Sequence, residues 1–405
     1  MSRGAVPAER GERNLAFDVL RVAAVYLTFV SHTYLFHRDI FSIGRWSFPF
    51  AAPAWACMWV LYTLSGYLAG RRFANKSNRS LNEAFRYYYS KLMRIWVPAI
   101  LFVLAISVLV YPDFLPGNPT VLWSFLFLTY RGSPGPDGIS DLWFAFTVMV
   151  LYALAPLVCA LAQKLPRRAL LLLAVLCLLL GLAYRLYARS QALVYMTAVY
   201  LPVYGQLDFF FSGILMSCYA AGRAEAERPK GAYGRIVKLT AALCVIAVFF
   251  FGFLSVWNAV ARGDGRLYDG LYSFVGPTLF SGATLFFLFA FDSAASAGMR
   301  PVRKTVGFLA KYGFEFYLFH SLVLARISPY INAGSALARH FKLLASAFAV
   351  SLALSVMFHS VTSALAKKAD FDYRDVFHVD RYWVYCLSLY ASVVVALAAV
   401  YFILI

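Results

Sequence analysis

Apolar runs of about bilayer length, repeated from one end of the chain to the other, leave it few ways to fold. Eleven can be counted, near 15–36, 52–70, 95–111, 142–161, 169–186, 200–221, 239–256, 271–291, 307–328, 343–365 and 382–405. About 20 consecutive apolar residues are what an α-helix needs to cross the hydrocarbon core. Inside lipid a backbone has to satisfy its own hydrogen bonds, so only helices and closed barrels span it. A barrel needs ten-residue segments of alternating polarity, and the runs do not alternate. The expected class is an all-α polytopic membrane protein. Its parts are a tail at 1–14, a ten-helix transmembrane core over 15–365, a link at 366–381 and one additional C-terminal transmembrane helix at 382–405. Composition agrees: 62% of residues are hydrophobic and 14% charged, against roughly 45–50% and 25% in soluble domains.

The net charge of +18 could suggest a nucleic-acid partner, but the basic residues sit in short links between apolar runs. The tail and the links near 71–94, 162–168, 222–238, 292–305 and 366–381 hold most of them. That asymmetry is the positive-inside pattern of a bilayer protein and requires no polyanion. It predicts a cytoplasmic N-terminus and an external C-terminus in a cytoplasmic (inner) membrane. The first run is too long for a signal-peptide core and lacks a small-residue cleavage site, so it is expected to remain as the first helix. The six cysteines all fall inside predicted spans without paired spacing, which argues against disulfides and zinc knuckles.

The first span, around Phe17–Phe36, carries Asp18, Arg21 and His32. An ionisable residue within a span is a functional hypothesis by default, because burying it in hydrocarbon costs at least a few kcal/mol. Arg21 and His32 are eleven residues apart, three turns plus roughly 20°, so they share a face about 16 Å apart along the axis. Asp18 is one turn before Arg21 and can pair with it. Thr28, one turn before His32, could orient the imidazole. A neutral imidazole suits removal of a proton from an alcohol.

Other polar groups are weighed against blander roles. Lys311 and Glu315, four apart, are expected to pair. His320 and His359 lie within spans, where interhelical hydrogen bonding is the commoner role. His37, His340 and His378 fall near span ends or in a link and are expected to be solvated. Asp208 is a costly carboxylate within the sixth span. No Walker, dinucleotide, Gly-x-Ser-x-Gly or His-Glu-x-x-His pattern occurs, and no metal site is expected. In the basic link, Arg86, Lys91 and Arg94 follow or flank Tyr87–Tyr89. They could hold the phosphates of a polyphosphorylated donor such as an acyl-coenzyme A, or could be topology signals and snorkelling anchors. The external segment 112–141 contains an apolar stretch, 121–130, too short to span, and could cover an outward cavity.

Four separated motifs resemble those of the integral-membrane acyltransferase-3 family. They are Asp18-Val-Leu-Arg21 followed by His32, Leu64-Ser-Gly-Tyr-Leu68, Lys91-Leu-Met-Arg94 and Tyr317-Leu-Phe-His320. The resemblance covers most of residues 15–365. It departs from many members at 143–152, where Trp143 and Tyr152 remain but the carboxylates of that helix are missing. No fused external esterase-like domain is expected.

The resemblance implies an O-acyltransferase that moves an acetyl or succinyl group from acyl-coenzyme A to a hydroxyl of a glycan. His32 would act as base or transient acyl carrier, with Arg21 and Asp18 as catalytic supports. Arg86, Lys91 and Arg94 would bind the donor, and Trp143, Asp208 and His320 the acceptor. The donor is a co-substrate, so no permanently bound cofactor is expected; the oligomeric state is left open. The rival reading is a polysaccharide exporter or transporter, which also buries charges but has no use for a coenzyme A patch.

Overall fold

The computed structural model describes residues 14–36, 40–43, 46–49, 53–74, 80–132, 135–222, 231–261, 266–292, 300–377 and 381–404. The long helices are α1 (Leu15–Phe36), α2 (Ala54–Ala74), α3 (Leu81–Lys91) running into α4 (Val97–Leu109), α7 (Trp143–Ala162), α8 (Arg167–Ser190), α9 (Leu207–Ala221), α10 (Gly231–Ala261), α11 (Gly276–Phe291), α12 (Arg300–Ile327), α13 (Ala336–Phe377) and α14 (Tyr382–Leu404). Two short helices, α5 (Phe114–Gly117) and α6 (Thr120–Leu126), lie between α4 and α7. Among the described residues a helix stands at each of the eleven expected positions. Seven are long and apolar enough to cross a membrane by length and composition. The chain is a multi-pass helical membrane protein.

The other expected spans, α2, α9, α11 and α12, are the ones that apolarity alone undersells. Most residues of α2 and α9 are buried within the bundle. A helix walled by other helices can carry polar groups that a lipid-facing one cannot. The lipid-facing role falls to helices such as α8 and α10, whose exposed residues include Leu172, Leu179, Ile236 and Phe250. At the centre α2 and α9 touch backbone to backbone. A Cβ on Gly66 would overlap the Phe210 carbonyl oxygen, and one on Gly70 would come within 2.8 Å of the Ser217 hydroxyl. Small residues at such crossings let helices pack by close contact, which is what holds bundles together in lipid. The glycine of Leu64-Ser-Gly-Tyr-Leu68 therefore has a packing role.

Four local expectations are corrected. First, a two-stranded antiparallel hairpin follows α1: β1 (Ile40–Ile43) pairs with β2 (Trp46–Pro49). Second, the helix expected to carry Lys91 and Arg94 into the third span starts earlier than the expected span, at Leu81. Helix α3 continues through a π-helical turn at Leu92–Trp96 into α4, making one helix of 29 residues. Third, of the external segment 112–141 only its end, Asp141, lines the cavity described below, and the 121–130 stretch does not. It tucks α6 inward, where the Trp96 indole donates to the Phe125 carbonyl at 3.3 Å and Phe125 stacks on Phe146 at 5.2 Å. Fourth, the start of the sixth span is not regular. Residues 196–206 form a π turn and a 3-10 turn, with the Gln206 amide donating to the Val199 and Tyr200 carbonyls. Irregular backbone at such depth is tolerated where the protein satisfies its polar groups.

Candidate active site

His32 sits four residues from the C-terminal end of α1, and α12 brings His320 against it. The rings stack with centroids 4.9 Å apart, and His320 Nε2 lies 2.8 Å from His32 Nδ1. Chemistry assigns the protons. His320 Nδ1 is 2.7 Å from the Tyr317 carbonyl, which can only accept, so this nitrogen carries the hydrogen. In the neutral ring Nε2 is then a bare acceptor. The 2.8 Å contact therefore requires the hydrogen on His32 Nδ1. Ser321 Oγ, 3.1 Å from His32 Nδ1 and 3.3 Å from His320 Nε2, accepts from the first and donates to the second. The His32 nitrogen left with a lone pair is Nε2. Packing holds the pair in place: Phe29 and Phe316 meet edge to face at 5.3 Å one turn below, and His320 is 1% exposed.

His32 lines a cavity of about 490 Å³ whose wall is rich in Trp and Tyr. Trp55 lies 5.5 Å from Tyr200 and 5.2 Å from Tyr268, and Trp143 lies 4.8 Å from Tyr200, ring centre to ring centre. Asp141, in the turn that leads into α7, also lines the cavity. The Tyr317 hydroxyl donates to its backbone carbonyl. Ligating atoms of Asp141, His32 and His320 all lie within 4.8 Å of one another.

The opposite end of α1 is cationic. Asp18 is buried and pairs with Arg21 at 3.0 Å. Lys91 stands over the Tyr152 ring at 3.9 Å and the Tyr87 ring at 5.3 Å. Arg21 and Arg94 both lie within electrostatic reach of Lys91, and Ser65 within hydrogen-bonding reach of Tyr152. The Arg72 guanidinium also lies over the Tyr87 ring, 5.3 Å from its centre. Three of the four sequence motifs thus meet here, on α1, α2 and the α3–α4 helix, with Tyr152 of α7 between them. Arg94 is exposed. Helices with a π turn often place it at a functional site, because the extra residue re-aims the side chains around it.

A family model described as an acyltransferase domain, that of the acyltransferase-3 family, matches residues 14–359. The chain belongs to this family. Comparison with curated proteins and with solved structures gave no match.

For a member of the acyltransferase-3 family, the arrangement separates two groups of candidate residues. His32 and Trp143 line the cavity, and His320 backs His32 from behind. Arg21 and Asp18 do not stand beside His32; three turns of α1, about 16 Å, lie between them, and they join Lys91 and Arg94. Arg86 stands apart from that cluster, paired with Glu83 at 3.3 Å and over the Tyr382 ring at 5.7 Å. Asp208 does not line the cavity. It pairs at 2.9 Å with Arg185, 1% exposed, whose same nitrogen reaches Thr278 at 2.8 Å. Gly181 makes room for that carboxylate, since a Cβ there would overlap it.

Three smaller expectations change. Glu315 pairs with His359 at 2.6 Å, not with Lys311, whose ammonium reaches the Tyr312 hydroxyl. His340 is buried, not solvated, with Nε2 3.4 Å from the Thr33 hydroxyl. Thr28 does not orient His32; its hydroxyl donates to the Ala24 carbonyl, and Ser321 and His320 do the orienting. His37 and His378 lie outside the described residues. Sequence reasoning missed Asp141. It lies two residues before Trp143, lines the cavity, and its signal was an acid at the mouth of an apolar run.

Proposed function

We propose that the chain O-acylates a hydroxyl of a cell-envelope or exported glycan, with acetyl-coenzyme A as the first-choice donor and succinyl-coenzyme A the second. The observation that carries this reading is the His32 ring, which lines an aromatic-rich cavity while its Nδ1 is committed to His320 and Ser321, so that the free lone pair is on Nε2. An acceptor hydroxyl in that cavity gives its proton to Nε2. The imidazolium so formed keeps its Nδ1–H on the His320 lone pair, with the Asp141 carboxylate close by to offset the new charge. The alkoxide attacks the thioester carbonyl, and the coenzyme A thiolate leaves. A transient acyl-histidine on Nε2 would need the same lone pair.

The donor enters from the other end. Lys91, Arg94 and Arg21 offer charge for its phosphates, Arg94 as a fork and Lys91 as a point charge. A donor whose phosphates and thioester are separated by a long arm can bridge from that cluster to His32. Aromatic faces such as Trp55 and Trp143 suit the apolar face of a sugar ring. In this reading ten helices form the transmembrane core and α14 is an eleventh. The basic links and the Lys91 cluster face the cytoplasm, and the His32 cavity faces outward across the inner membrane.

The test supplies labelled acetyl- and succinyl-coenzyme A to membranes containing the chain, with polysaccharide and lipid extracts as acceptors. Label in a glycan, absent from membranes without the chain, is the expected result. No label, together with glycan precursor retained in cells that lack the chain, would favour an exporter instead.

A further inference from the structure

His32 of α1, Asp141 from the turn before α7 and His320 of α12 converge from three separate helices, with ligating atoms within 4.8 Å of one another. We propose that these three side chains form a binding site for one divalent transition-metal ion of the zinc class, and that filling it silences His32 as a base.

Each partner already has the posture of a ligand. His320 presents Nε2 to the shared point because its Nδ1–H is spent on the Tyr317 carbonyl. A ring N–H tied to a backbone carbonyl on the far side is the usual outer partner of a metal-ligating histidine. His32 offers Nδ1, 2.8 Å from His320 Nε2. Ligand nitrogens of a tetrahedral zinc, with bonds of 2.0–2.1 Å, stand about 3.3 Å apart, so exchanging the shared proton for the ion parts the rings by about half an ångström. Asp141 supplies a carboxylate, and its backbone is fixed by the Tyr317 hydroxyl. Asp141 lines the cavity, so an external ligand can approach the fourth coordination position from that side. Three protein ligands and one open position is the pattern of zinc sites that accept an external ligand. Two imidazoles favour zinc or cobalt over magnesium and calcium, which take oxygen ligands.

The consequence follows from proton placement. With an ion on Nδ1, neutral His32 keeps its single ring proton on Nε2; one proton leaves Nδ1 for solvent and one is taken up at Nε2. The nitrogen facing the acceptor becomes a donor and cannot accept a proton. This second half rests on the proposed function, whereas metal binding itself does not.

The test is a titration of the purified full-length chain with Zn²⁺, and with Co²⁺ read by its visible absorption. The expected result is one ion per chain, four-coordinate cobalt bands, and acyl transfer that falls in step with occupancy and returns on chelation. Asp141→Asn and His320→Gln should each weaken binding by about 10-fold or more. His359→Gln, which removes a histidine paired elsewhere with Glu315, should bind as wild type. Should either ligand variant not fold, Asp141→Glu keeps a carboxylate ligand and should still yield four-coordinate bands. The proposal is overturned if wild type takes up no stoichiometric ion, or if Asp141→Asn and His320→Gln bind it as tightly as wild type. If no acyl transfer is found for any form, the proposed function fails while the binding isotherms still decide the metal site.

Discussion

At the scale of single residues the decisive feature is a fixed tautomer. The Tyr317 carbonyl settles which nitrogen of His320 carries hydrogen, and the 2.8 Å contact passes that decision to His32. His320→Ala removes the acceptor that holds the His32 proton on Nδ1. It is expected to lower kcat about 10²-fold, the low end of what a positioned base contributes, with little change in KM for the acyl donor. Steady-state kinetics over a donor series checks this; a raised KM at unchanged kcat would assign His320 to binding. The polar residues of α1 were legible in the sequence because charges within a span are costly and rare. The Asp18–Arg21 pair was legible too, but the partners of His32 were not, because Ser321 and His320 are reached through packing, 289 and 288 residues away. The same holds for His340 and Glu315, whose real partners lie on other helices.

At the scale of elements, the few polar groups buried in an otherwise apolar bundle join one helix to another. Arg185 and Asp208 join α8 to α9 within the bundle. Breaking such a pair leaves an uncompensated buried charge, a loss of about 3–5 kcal/mol. Asp208→Ala should therefore lower the thermal midpoint in detergent sharply, while replacing both residues with apolar ones should lower it much less. Equal losses would mean the pair itself does little. The expected span 169–186 runs into Arg185 and Arg189, and the buried pair explains why the helix nonetheless continues to Ser190. Apolar periodicity located the helices well and led Lys91 and Arg94 into α4, but it did not show how far back that helix begins. The polar start of α3 resembles a loop until Ser80 is seen to cap it, accepting from the Glu83 amide. The basic motif thereby belongs to a rigid element. Lys91→Gln and Arg94→Gln are each expected to raise KM for acyl-coenzyme A about 10-fold, the worth of one contact to a charged group, and to leave kcat nearly unchanged. A donor KM equal to wild type in both would move the phosphate site elsewhere.

At the scale of the whole molecule the bundle has two chemically different ends joined by α1. One gathers cations around Tyr87 and Tyr152; the other gathers imidazoles, a carboxylate and aromatic walls. Helix α14 braces the first end. The Tyr382 amide donates to the Asn82 side chain at 2.8 Å, and Tyr385 packs on Tyr89 at 6.0 Å. The central claim is that donor binding and base catalysis are housed at these separate ends. The measurement that tests it most directly is acyl-coenzyme A binding and acyl transfer, both made on purified His32→Ala. Donor affinity equal to wild type, with transfer reduced by about 10²-fold or more, is the expected result. Transfer at the wild-type rate, with the protein folded and the donor bound, would contradict it.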